Sequence, residues 1–276
     1  MIKVAVPNKG SLAESASTIL KEAGYRQRTD LRDLTLYDPE NDIEFYYLRP
    51  RDIAVYVGSG ELDIGITGRD LLLDSGVQAK EILSLNFGKS TFRFAAKEET
   101  SLQGKRIATA YPGLVESYLN GLGIVATVVR LDGAVESSVR LGVADVIADV
   151  VSTGGTLRQA GLQVFGKPIL ESEAIMIERV GADRVDAVET LIRRINGVVI
   201  ARQYVLVDYD IETENLSAAT AITPGIESPT ISPLQKPGWS AVRAMVKSNE
   251  VNKIMDDLYK VGARGILVTD IHASRL

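Results

Sequence analysis

The chain has 276 residues, 45% of them apolar, and a net charge of −5; that suffices for two or three compact units and lacks the basic excess that broad nucleic-acid binding needs. It contains no cysteine, which excludes a disulfide framework, a thiol nucleophile and a cysteine zinc site, and fits a reducing cytoplasm. Pro7 and Lys9 come too early for an export signal's apolar region, and no apolar run approaches the ~20 residues of a membrane helix.

In chain order, Ile2 to Val6 reads as an apolar strand, Pro7-Asn8-Lys9-Gly10 as a turn, and Ser11-Leu12-Ala13-Glu14 as a capping box opening a helix that runs to Gly24. Leu34–Tyr37 and Ile43–Leu48 form a strand pair, Pro50 and Asp52 open a helix ending near Gly58, and Asp63–Thr67 is a short buried strand. A similar order returns from Lys105: strand 106–110, turn at Tyr111-Pro112-Gly113, helix 114–121, strand 124–131, helix 134–142, strand 145–150. The closest internal echo sets GELDIGITGRDL (60–71) against GVADVIADVVSTGGTL (142–157). Two βα lobes facing each other across a cleft follow from that echo, with ligands beyond the carboxyl ends of the strands.

The last third differs. Val185, Val188, Ile192 and Ile195 keep helical spacing, Val198–Val207 reads as a long apolar strand, 213–221 as a helix, 228–234 and 241–246 as strands, Val251 to Leu258 as an amphipathic helix, and 264–270 as a final strand. This βαββαβ order predicts a ferredoxin-like unit.

The sharpest chemical feature is Ile147–Leu157. An apolar strand delivers Asp149, and Ser152-Thr153-Gly154-Gly155-Thr156 then turns into a helix expected at Leu157. Glycines let backbone amides approach an anion, the hydroxyls add donors, and a helix start adds a favourable field. A carboxylate for a diol and a hydroxyl-rich loop for a phosphate suit a ribose 5-phosphate group. The bland alternative is a strand-to-helix turn. No Walker or dinucleotide fingerprint is present, and Ala148 stands where ordinary phosphoribosyltransferases carry a second acid next to the first. Lys9, Arg49, Arg51 and Arg69 all fall at expected strand ends or helix starts, where loops face one cleft; a single Lys or Arg is otherwise a solvated surface charge. His272 has no second His or Cys for a metal site.

The stretch from Glu136 through Gly142, Ala144, Ile147, Asp149, Thr153, Gly154 and Thr156 resembles the signature of ATP phosphoribosyltransferases. VAVPNKGSL, LRPRDIAVYVGSGELDIGITGRDLL and ATAITPGIESPTISPL extend the resemblance to the long form of that family over essentially the whole chain. It implies two lobes with the fold of type II periplasmic binding proteins (residues 1–90 with 171–185, and 91–170) and a regulatory histidine-binding domain over 186–276. It implies transfer of a phosphoribosyl group from PRPP to N1 of ATP, the first step of histidine biosynthesis, with Mg2+ as cofactor and the metal ligands unassigned.

The resemblance carries over to residues as follows. Lys9, Arg49 and Arg51 are expected to be catalytic, Lys9, Gly10, Arg69 and Asp70 to bind ATP, and Asp149 with Ser152, Thr153, Gly154, Gly155 and Thr156 to bind PRPP. Asp210, Ile226, Ser228, Thr230 and Gly265 are expected to hold histidine as feedback inhibitor. Dimers assembling to hexamers, no separate regulatory subunit and a cytoplasmic location complete what it implies. The competing readings are a non-enzymatic two-lobed sensor of a small ligand, and a different phosphoribosyltransferase or an amino-acid-regulated enzyme; a binder holds one ligand without consuming it, whereas the enzyme implied here needs both ATP and PRPP to release pyrophosphate.

Overall fold

The structure, a computed structural model, describes residues 1–151 and 154–274. Its first sheet grows from the opening apolar run. β1 (Ile2–Pro7) is buried almost throughout, as a strand covered on both faces must be. It pairs in parallel with β3 (Ile43–Leu48) and β4 (Ile64–Gly68), while β2 (Thr35–Asp38) runs antiparallel beside β3. α1 (Ser11–Glu22) and α2 (Pro50–Ser59) make the crossovers. Proline at the first position of α2 presets its φ, and α2 stops where Gly60 turns left-handed. α3 (Arg69–Ser75) follows β4 without a gap, and β5 (Ala79–Ser84) leads toward the second lobe.

The second sheet contains β6 (Ser90–Ala96), β7 (Arg106–Thr109), β8 (Thr127–Arg130), β9 (Val146–Val151) and β10 (Gln163–Ser172), with α4 (Pro112–Gly121) after β7. The chain returns to the first sheet through Glu173 as β11 (Ala174–Arg179). The sheet orders are β2-β3-β1-β4-β11-β5 and β10-β6-β9-β7-β8. Reversing the second aligns β8-β7-β9-β6-β10 with β3-β1-β4-β11-β5. In both, three parallel strands are followed by an antiparallel one from a distant part of the chain. The sequence echo therefore has a structural counterpart, since 60–71 contains β4 and 142–157 contains β9. This is the two-lobed arrangement of type II periplasmic binding proteins, each lobe with its own core: Ala5, Ile53, Val57, Ile175 and Ile177 in one, Phe92, Phe94, Ile107, Val115 and Val146 in the other.

Several expected elements are corrected. Residues 198–201 end α7 (Asp186–Ala201) instead of opening a strand. Val188, Leu191, Ile195 and Val198 are all buried, and their spacing of three and four keeps one helical face packed; burial overrides the β preference of Val198-Val199-Ile200. The expected helix 134–142 shrinks to α5 (Ser137–Arg140), because Ala134 sits at φ 48°, outside helical space. Strand 124–131 shortens to β8. β5, β6, β10 and β11 had no counterpart in the pattern reading; β10 is an edge strand interrupted by a register shift between Phe165 and Leu170, around Gly166 and Pro168.

Contacts divide the chain into a unit of Met1–Lys21 with Tyr25–Thr190, which holds both lobes, and a unit of Glu22–Gly24 with Leu191 onward. The second unit is β12 (Tyr204–Glu212), α8 (Leu216–Ile222), β13 (Thr230–Pro233), β14 (Trp239–Lys247), α9 (Val251–Lys260) and β15 (Arg264–Asp270). Its antiparallel sheet, β13-β14-β12-β15, is the ferredoxin-like order. Val207, Tyr209, Ile211, Val242 and Leu258 form its core on one face. Among the described residues, no helix is long and apolar enough to cross a membrane.

Candidate active site

The carboxyl ends of the parallel strands of both lobes open onto one cleft of about 870 Å³, at the large end of the ~300–1,000 Å³ usual for small-molecule sites. The loops after β1, β3 and β4 bring Lys9, Gly10, Arg49, Arg51 and Asp70 to it. The turns after β7 and β8 bring Tyr111, Arg130 and Asp132, and the crossings between lobes bring Lys89, Ser172 and Glu173. The three cations expected at the centre, Lys9, Arg49 and Arg51, do share one cavity. Lys89 and Arg130 join them unannounced by the sequence. β8 occupies the place of β3, and Arg130 at its end lines the cleft as Arg49, just after β3, does.

The cations differ in how they are held. Lys9 and Arg49 are exposed, and among the described residues neither has a carboxylate partner, so their charge is free for an anionic ligand. Arg51 donates to Asp74 at 2.7 Å and lies over the ring of Tyr111 at 4.7 Å. Tyr111 packs edge-on against Phe92 at 5.1 Å. Burial and the neighbouring Asp70 carboxylate push the Tyr111 phenol well above its usual range, with Arg51 opposing, so it stays a neutral hydroxyl.

Arg69, expected at the nucleotide, is placed differently. Its guanidinium is clamped by Glu81 at 2.8 Å and reaches Glu173 at 3.2 Å, and these bonds raise its pKa further. It lines a smaller neighbouring cavity and not the main cleft. Asp70 does face the cleft, held by an exchange with Ser172: its amide donates to Ser172 Oγ at 3.0 Å, and that hydroxyl donates to Asp70 Oδ1 at 2.8 Å. Glu173 accepts from Ser84 at 2.6 Å while its Oε2 is buried without a partner among the described residues.

Gly154, Gly155 and Thr156, with Glu136 and Asp149, wall a small recess of about 140 Å³ that shares Val150 with the main cleft. Ser152 and Thr153 lie outside the described residues. Gly154 stands at φ 67°, ψ 13°, the left-handed conformation that glycine adopts without strain, and α6 (Gly155–Gln159) starts from it. This helix is only five residues long, two residues earlier than expected, so anion binding here would rest on amides and hydroxyls more than on a helix field. Burial pushes the Asp149 carboxyl upward and the negative charges of Glu136 and Asp70 add to the shift, against a 2.7 Å hydrogen bond donated by the Val150 amide. Glu136 thus stands near Asp149 in space. The second acid missing at Ala148 arrives from the loop before α5, which no adjacent-acid pattern could reveal.

In the second unit, Asp210, Ala241 and Ser232 form one row across the sheet, and Asp208, Arg243 and Thr230 the next. Residues two apart along a strand share a face, so Asp210 and Thr230 lie together on the face opposite the core, with Arg243 donating to Asp208 at 2.6 Å. Gly265 adjoins Asp210: a Cβ there would stand 3.6 Å from Oδ2. Ile226 and Ser228 are exposed in the loop before β13, whose start is tied by a 2.7 Å hydrogen bond between the buried hydroxyls of Tyr209 and Thr223. His272 sits in a separate polar pocket with Arg202, Tyr204 and Asp270.

Comparison with known proteins fits this geometry. Residues 49–197 match the ATP phosphoribosyltransferase family model, and residues 201–273 match the model of the HisG C-terminal domain. ATP phosphoribosyltransferases of Arthrobacter sp. and Salinispora tropica are 61% and 59% identical, each aligned over 100% of both chains. A solved ATP phosphoribosyl transferase (HisG:HisZ) complex from Thermotoga maritima is 26% identical with a TM-score of 0.63, covering 72% of this chain and 98% of that one. The chain therefore belongs to the ATP phosphoribosyltransferases in their long form, with a C-terminal regulatory domain, which transfer the phosphoribosyl group of PRPP to N1 of ATP and open histidine biosynthesis.

Proposed function

We propose that the first lobe (residues 1–90 with 171–185) holds ATP and the second (91–170) holds PRPP, so that adenine N1 meets C1 of the ribose between them. The carrying observation is that Lys9, Arg49 and Arg51 line the main cleft from the first lobe, while the Asp149–Glu136 pair of the second lobe walls an adjoining recess that shares Val150 with it. Lys9 and Arg49 meet the triphosphate, Arg51 faces the departing pyrophosphate, and Asp149 takes the ribose hydroxyls while the 152–156 loop takes the 5-phosphate. Asp70 stays at the nucleotide. Arg69, saturated by Glu81 and Glu173, holds the start of α3 against the lobe crossing.

The N1 lone pair forms the new bond to C1 as the bond from C1 to pyrophosphate oxygen breaks and its electrons leave with that oxygen. No protein nucleophile is needed. Positive charge develops on the ribose ring, and the carboxylates beside it stabilise that charge electrostatically. Among the described residues no cluster of three acidic or histidine ligands exists, which suits Mg2+ carried in on substrate oxygens with Asp70 or Asp132 as occasional partners. Bound there, Mg2+ would offset the charge of the leaving pyrophosphate.

The C-terminal unit binds histidine around Asp210, Ile226, Ser228, Thr230 and Gly265. The same open sheet face presents Leu267, 65% exposed and in register with Asp208, as the apolar surface a second copy would cover in a dimer or hexamer. The solved relative from Thermotoga maritima is a two-component complex and matches only 72% of this chain; the further domain here supports activity without a separate subunit. The substrates and the absence of cysteine support a cytoplasmic location.

Pyrophosphate release from the purified protein should require Mg2+, ATP and PRPP together and should fall with millimolar histidine. Release that ignores histidine would overturn the effector site; ligand binding without turnover would favour the sensor reading. Ser228→Trp should leave uninhibited turnover within about twofold while removing an inhibition typically worth ~1–3 kcal/mol of coupling. Lost turnover in that variant would displace the effector site from this loop.

A further inference from the structure

The two lobes meet at one place where a single side chain serves both. Asp74, near the end of α3, is 8% exposed. Its Oδ2 accepts from Arg51 Nη1 at 2.7 Å, while its Oδ1 accepts from the Leu114 amide at 3.2 Å. Leu114 is the third residue of α4, whose own cap residue, Tyr111, supplies no side-chain bond. A carboxylate at that amide does what an N-cap side chain ordinarily does, but Asp74 does it from the other lobe. Gly113 beside it has no room for a Cβ, which would strike the Asp74 carbonyl oxygen. The contact is therefore backbone-close, and Arg51 is carried by it to its position over Tyr111, in the cleft wall.

We propose that Asp74 is a positioning residue for phosphoribosyl transfer: it fixes the direction of Arg51 and, through the amino terminus of α4, ties that direction to the spacing of the lobes. The proposal rests on the reading of Arg51 as a ligand of the substrate anions. Arg51 could reach an anion from many rotamers if free. Held by Asp74 on one side and by the Tyr111 ring on the other, it presents its remaining donors in one direction only when the second lobe is in place. Correct geometry of the lobes and correct placement of the charge become one condition.

Three variants and a double variant test this, read by steady-state kinetics with ATP, PRPP and Mg2+ and by thermal unfolding. Asp74→Asn keeps an acceptor for the Leu114 amide and loses the ion pair. It should unfold near the wild-type temperature and yet lose about 10- to 100-fold in kcat/KM, the scale of one charge-assisted bond. Asp74→Glu should recover part of that loss. Arg51→Ala should lose at least as much activity and also unfold earlier, because it strands a buried carboxylate. In Arg51→Ala/Asp74→Asn the stability should return while activity stays at the Arg51→Ala level, since one device cannot be removed twice. Wild-type rates in Asp74→Asn beside a large loss in Arg51→Ala would overturn the positioning role alone. Losses that multiply in the double variant would overturn it as well. Wild-type rates in Arg51→Ala would remove the reading of the cleft on which the proposal stands.

Discussion

Asp149→Asn should unfold at a higher temperature than the natural protein in the absence of ligand and should lose roughly 10²–10³-fold in kcat/KM for PRPP, on the scale of two hydrogen bonds to a charged acceptor. Both effects come from the same observation. The carboxylate is half-buried, and among the described residues it accepts from the Val150 amide and has Glu136 and Asp70 as like-charged neighbours. Its ionised form is therefore disfavoured in the free protein, and the pKa rises above 3.8. A raised acid pKa means that the folded state holds its proton more tightly than the unfolded chain does. The resulting stability is present below pH 3.8 and is lost as pH rises through the folded pKa. At neutral pH the free enzyme carries this cost, which a ribose diol relieves by donating two hydrogen bonds. Asn removes the cost and the charge together. The acidic limb of kcat/KM should accordingly fall above the ordinary carboxylate range in the natural enzyme and disappear in the variant. Equal activity, or a lower unfolding temperature, would contradict this account of the recess.

Lys9→Ala/Arg49→Ala should cost roughly 10³-fold in kcat/KM with no change in unfolding temperature beyond about 1 °C, because among the described residues neither exposed side chain has a carboxylate partner to strand. Arg69→Ala gives the opposite pattern. It leaves Glu81 and Glu173 without their guanidinium, and Glu173 already has one buried oxygen unpartnered among the described residues. A stability loss of about 1–3 kcal/mol, with only a modest change in turnover, is expected. The contrast separates charge kept for ligand from charge spent on the fold. A stable, inactive Arg69→Ala protein would restore that arginine to the nucleotide site.

Much of the architecture was legible because its rules are local. β1, β4 and β9 are short apolar runs bounded by glycine and polar turns, and α2 announces itself through Pro50 and Asp52, its end two residues beyond the expected stop near Gly58, at Gly60. The echo between 60–71 and 142–157 pointed to two related lobes and so to the cleft. The failures were non-local. Val198-Val199-Ile200 has strand-like composition and became helix through the buried face it shares with Leu191 and Ile195. β10 and β11 escaped notice because their partners lie some 70 to 110 residues away, as in Phe165 with Phe94 and Ile177 with Gly65. At the site, Lys9, Arg49 and Asp149 could be picked out because strand ends are predictable. Lys89, Arg130 and Asp74 could not, since each gains its meaning from a residue that only the folded chain brings near; Glu136 stood in the signature stretch, but its place beside Asp149 was not legible there.

A crystal structure of the protein with PRPP and Mg2+ tests the central assignment most directly. The account predicts the 5-phosphate within the 152–156 loop, the ribose hydroxyls on Asp149 with Glu136 alongside, and the pyrophosphate directed toward Arg51. A ribose phosphate seated instead among Lys9, Gly10 and Arg49 would exchange the roles of the two lobes and contradict it.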